Sequence, residues 1–124
     1  MTIREQLERR VGEIVRRVIA ELPPDLRTLA ERVPVFCEWE LAEHWLEEGV
    51  ADDSMGLFSG PALNEPTDSD CLESPSITFF LAEHWDYCEE DLPTFDEEVR
   101  ITYIHEFGHY LGLDESELES RGLL

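Results

Sequence analysis

Lysine is absent from this sequence, and nine arginines carry every fixed basic charge against thirty acidic residues, for a net charge of −21. The arginines are unevenly placed. Residues 1–32 hold seven of them against six acidic residues, while residues 33–124 hold only Arg100 and Arg121 against 24. Such a field repels phosphate backbones, which excludes a nucleic-acid partner. It attracts basic peptides and metal cations, and solubility alone is the plainer alternative. Cysteine is also scarce. Cys37, Cys71 and Cys88 stand far apart with no C-x-x-C pair, so a disulfide framework is excluded and free thiols in the core or in loops are expected. No apolar run is long enough to span a bilayer, so no membrane partner is expected. The opening MTIREQLERR lacks the apolar core of a signal peptide, and a cytoplasmic location is expected.

What is present suffices for one modest core. About 42% of the 124 residues are hydrophobic, and the length suits a single domain over residues 1–124. At this size a bound metal would add materially to stability. Residues 2–22 predict an amphipathic helix, because Ile3, Leu7, Val11, Ile14, Val15, Val18 and Leu22 recur at helical spacing. Pro23 and Pro24 end it, and residues 25–32 predict a short helical turn. Val33–Trp39 is β-branched and aromatic and reads as a first strand. Residues 52–75 are rich in Asp, Ser, Pro and Gly and read mostly as loop, with a short strand within Met55–Leu63. Ser76–Leu81 is the clearest strand, and residues 86–93 read as an acidic connection.

Thr94 with Glu97 matches a capping box and predicts the start of a last long helix, with Asp96, Glu97 and Glu98 at its positive end. From Val99 to Leu113 that helix is apolar on nearly every side, which predicts burial on several faces. Gly112 is a natural exit from it, and residues 115–121 predict one more turn. The pentapeptide LAEHW occurs twice, at Leu41–Trp45 and Leu81–Trp85. One pentapeptide is too short to define a repeat. His44 and His84 within it form a candidate second metal pair, although surface or half-buried histidines beside anchoring tryptophans are the simpler reading.

The chemistry concentrates at YIHEFGHYLGLDE, residues 103–115, which contains H-E-x-x-H at His105, Glu106 and His109. Positions i and i+4 lie on one helical face, so two imidazoles can converge on one zinc ion. Glu106, one position round the helix, reaches a bound water rather than the metal and is the candidate general base. A helix that merely happens to carry these residues is the alternative, but charged groups on a largely buried helix need a reason. The chain ends 15 residues after His109, leaving little room for a ligand on a further helix. The longer pattern H-E-x-x-H-x-x-G-x-x-(H/D/E) fits instead, with Gly112 at its glycine and Glu115 at its last position. Asp114 is the rival third ligand, since chemistry alone does not separate two adjacent carboxylates. Tyr103 and Tyr110, near the motif, read as packing aromatics.

IHEFGHYLGLDE resembles the metzincin-type zinc-binding helix. More closely, LPPDLRTLAERVPVF, GLFSGPAL, SPSITFFL and EEVRITYIHEFGHYLGLDESELESRG together resemble the small bacterial zincin-like metallopeptidase family, from about residue 22 onward. The resemblance implies an α+β fold: an N-terminal helix and a small mixed sheet packed on the zinc helix. It also implies zinc as cofactor, with His105, His109 and Glu115 as ligands, Glu106 as base and a peptide or protein as substrate. The sequence departs from metzincins in having no methionine after Glu115 and no second subdomain to wall a long cleft. An acidic third ligand would lower the charge of the zinc centre and weaken its Lewis acidity. These departures leave the metal site intact and argue against vigorous general proteolysis. A zinc-dependent peptidase is therefore expected. The competing readings are a zinc-stabilised binding module with little turnover and, more remotely, an acidic interaction protein with an incidental motif.

Overall fold

A computed structural model describes residues 1–49, 55–65 and 74–123. Cys71 and residues 52–54 and 66–73 of the loop expected over 52–75 lie outside these residues. The first helix, α1, spans Ile3–Glu21, and the Thr2 hydroxyl caps it by accepting from Glu5 N–H at 3.1 Å. Its stripe of Leu7, Val11, Ile14, Val15 and Val18 is buried, while Ile3, on the first turn, stays exposed. Pro23 and Pro24 end α1 and start α2, Pro24–Ala30, since proline is well suited to a first helical turn. Then come β1 (Val35–Glu38), α3 (Glu43–Glu47), β2 (Gly56–Ser59) and β3 (Ser76–Phe80). After them come α4 (Leu81–Tyr87), α5 (Leu92–Leu111) and α6 (Glu115–Ser120).

The sheet has the order β1-β3-β2, with β3 parallel to β1 and antiparallel to β2. As the central strand β3 is the most buried, and Ile77, Phe79 and Phe80 are wholly covered. Rows of paired residues share a face by the strand period of two. One such row is Val35, Ile77 and Phe58, and the next on the same face is Cys37, Phe79 and Gly56. Helix α5 packs against this sheet, α1 and α4, and its Phe95, Val99 and Tyr103 are fully buried. The architecture is α+β with a small mixed sheet, as the resemblance implies. Among the described residues no helix is long and apolar enough to cross a membrane.

Two local expectations are corrected. The strand ends at Phe80 and residues 81–87 are helical, so the acidic connection shortens to a turn around residues 88–91. Helix α5 starts at Leu92 rather than Thr94. Asp91 is its N-cap, and the Asp91 carboxylate accepts from Thr94 N–H at 3.0 Å. Pro93 fits the first turn because the missing N–H would have no helical partner there. Freed of a capping role, Glu97 pairs with Arg100 at 2.9 Å. Asp96 takes Arg10 of α1 in a two-pronged bond at 2.8 and 2.6 Å, joining residues 86 apart in sequence.

Candidate metal centre

His105, Glu106 and His109 occupy the last two turns of α5. The helix then stops on Gly112, whose φ of +75° favours glycine. Leu113 N–H donates to Gly108 O at 2.9 Å and Gly112 N–H to His109 O at 3.2 Å, the paired bonds of a Schellman turn. Asp114 begins α6 as its N-cap. The Asp114 carboxylate accepts from Glu117 N–H at 2.8 Å while the Glu117 side chain accepts from Asp114 N–H at 3.4 Å. Glycine at 108 permits this return, because a Cβ there would lie 2.7 Å from a Leu118 methyl. The turn brings Glu115 back beside the motif, with Glu115 Oε1 3.6 Å from His105 Nε2.

His105, His109 and Glu115 wall one cavity of about 560 Å³, completed by Gly112–Asp114 and Leu118. Glu106 differs from them in exposure. Its side chain is 15% exposed against 40% for His105, 63% for His109 and 71% for Glu115. Glu106 Oε2 accepts from Phe58 N–H at 2.9 Å and lies 3.2 Å from His109 Nδ1. Burial pushes the Glu106 carboxyl above its ordinary range, against the opposing pull of His109, the Phe58 amide and His105. A raised carboxyl suits a group that takes and returns a proton near neutrality.

The donor set fits zinc by its chemistry: two imidazoles one turn apart and a carboxylate on the same cavity wall. The side chains are not drawn around a common point. Among the described residues no three His, Cys, Asp or Glu groups are gathered closely enough to hold an ion. Glu106 meets His109 only at Nδ1, which leaves the other ring nitrogen, Nε2, to serve as the ligand atom. The second candidate pair does not form, because His44 is exposed and His84 is fully buried. The expectation of surface or half-buried histidines holds for His44 and fails for His84. Tyr103 is no part of the cavity. It is fully buried, and burial pushes its phenol up to about 12.

One participant was beyond the reach of sequence reasoning: the Phe58 amide, which is 48 residues from Glu106. A backbone donor carries no residue signature, and only the GLFSG segment between its glycines hinted at an unusual strand. A family model described as Zincin-like metallopeptidase matches residues 30–123. No curated protein matches the chain.

Proposed function

Because the chain belongs to the zincin-like metallopeptidase family, we propose that it is a zinc-dependent hydrolase of peptide or amide bonds with Glu106 as general base. The observation that carries this reading is the shared cavity wall of His105, His109 and Glu115, with the half-buried Glu106 carboxyl behind it against His109. His105, His109 and Glu115 would hold the ion, which supplies a Lewis acid for the scissile carbonyl and acidifies water. Glu106 takes the proton of the attacking water and returns it to the departing amine. Asp114 supports the site indirectly, since its cap fixes the turn from which Glu115 projects.

The substrate would carry Lys or Arg near the scissile bond, a preference supported by the excess acidic charge of residues 33–124. A cytoplasmic setting belongs to the same proposal and is supported by the free thiols of Cys37 and Cys88. A second reading, a zinc-stabilised binding module, draws on the exposure of His109 and Glu115, which leaves the cavity open rather than cleft-like.

The test is zinc stoichiometry combined with cleavage of a peptide library. One zinc per chain is expected, lost in His105→Ala and His109→Ala. Glu115→Ala should weaken zinc by orders of magnitude and far more than Asp114→Ala, which removes the cap of α6 and no ligand. Glu106→Gln should keep zinc and lose hydrolysis. Stoichiometric zinc in both histidine variants would remove the metal site, and wild-type inertness across the library would favour the binding module.

A further inference from the structure

Gly56 opens β2, and a side chain there has no room. A Cβ at Gly56 would lie 2.6 Å from Thr102 Cγ2, far inside contact distance, and 3.8 Å from Glu106 Cγ. Thr102 is buried and precedes Glu106 by about one turn on α5. Two residues along the strand, Phe58 N–H donates to Glu106 Oε2 at 2.9 Å. The alternation of the strand places that donor. Met55 O accepts from Phe80 N–H of β3, and successive residues of an antiparallel strand turn their polar groups to opposite edges. Gly56 and Phe58 therefore turn theirs away from β3, toward α5. Beyond Phe58 the chain stays tied to the helix, with Leu63 N–H donating to Tyr110 O at 2.8 Å and the Phe58 and Tyr110 rings 5.9 Å apart.

From this we infer that Gly56 is a positioning residue for Glu106: lacking a side chain, it seats β2 against Thr102 closely enough for the Phe58 amide to hold Glu106 Oε2. Oε1 is then left to exchange the proton of the attacking water. The inference rests on the reading of Glu106 as the base. A free glutamate samples many rotamers, and fixing one oxygen to rigid backbone removes that freedom before substrate arrives. The sequence separation explains why the arrangement needs a glycine. The strand and the helix meet only through tertiary packing, so their spacing is set by what stands between them. At this crossing the Thr102 methyl is the nearest obstacle.

Amide-proton NMR on Gly56→Ala, Thr102→Ala and the double variant tests this. In the wild-type protein the Phe58 amide should be protected from exchange, and its signal should move on Glu106→Gln. Gly56→Ala should lower that protection by up to about tenfold, the equivalent of one hydrogen bond. Affinity for zinc alone should change far less than in His105→Ala or His109→Ala, because neither Gly56 nor Glu106 is among the residues that would hold the ion. Adding Thr102→Ala removes the obstructing methyl and should restore the protection. With any substrate the library yields, kcat should fall in Gly56→Ala at unchanged KM and recover in the double variant. If Gly56→Ala does not fold, Thr102→Ile applies the same pressure from the helix side. Unchanged Phe58 protection in the folded single variant, or a double variant no better than Gly56→Ala, overturns the inference. An inert wild type would count against the peptidase reading alone, because the amide signal reports the seating of β2 without any substrate.

Discussion

The same five residues, LAEHW, follow two neighbouring parallel strands and meet opposite fates. After β1 the first copy is delayed by Trp39 and Glu40, and helix α3 begins only at Glu43. Its His44 is exposed and lies against Trp45, ring centres 4.5 Å apart. After β3 there is no delay, and Leu81 is itself the first residue of α4. Leu81 and His84 are wholly buried, and the His84 ring sits between Phe79 and Phe95 at 5.6 and 5.7 Å. Helix-forming tendency is shared by the two copies, so it cannot explain the difference. Position in the sheet can. β3 is central and delivers its helix into the core, whereas β1 lies at the edge. His84 meets no hydrogen-bond partner at either nitrogen among the described residues, and burial pulls its pKa down to about 4.

Truncation should separate the copies most. Leu81→Ala should cost about 2–5 kcal/mol, the usual range for a buried leucine, and Leu41→Ala, which is only half-buried, under about 1 kcal/mol. Urea unfolding of both variants checks this, and equal costs would break the comparison. Acid should come next. The folded chain holds His84 neutral down to about pH 4, while its unfolded value is 6.5. Above 6.5 the two states bind protons alike. As the pH falls from there toward 4 the unfolded chain takes the proton and the folded one does not, so stability is lost. The full loss is roughly 3 kcal/mol. His84→Leu should remove that part of the acid limb and His44→Leu should leave it, as stability profiles from pH 7 to 4 would reveal. The smallest effect is at neutral pH, where His84→Leu should stabilise by about 1 kcal/mol because a partnerless buried polar group is gone. The matching change at His44 should be near zero, and thermal melts would resolve the two.

Elements with a strong period were legible in the sequence: α1 from its stripe of Leu7, Val11 and Ile14, and β3 from its run of β-formers. The exit at Gly112 and the return through residues 114–115 were legible as well, because glycine and capping residues leave chemical marks. The start of α5 was misplaced because Leu-Pro after an acidic stretch looks like a connection, and two carboxyl or hydroxyl caps competed within four residues. The depth of His84 was invisible for the reason its twin makes plain, since burial depends on the strand before it and on Phe95 of another helix. The motif residues His105, Glu106 and His109 were read directly from their spacing. What holds Glu106 was not, because a backbone amide on β2 has no letter of its own.

The family match begins at residue 30, and the core does not respect that boundary. Five α1 side chains are buried before it, and Arg10 reaches Asp96 on the motif-bearing helix. Each buried aliphatic contributes roughly 1.5–3 kcal/mol, so together they rival the whole stability of an ordinary small domain, about 5–15 kcal/mol. A chain trimmed to the matched segment would leave one flank of α5 bare to water and its Asp96 carboxylate without Arg10. The segment that matches the family and the segment that builds the core are thus different here, and the helix that carries His105 and His109 is braced by a stretch outside the match.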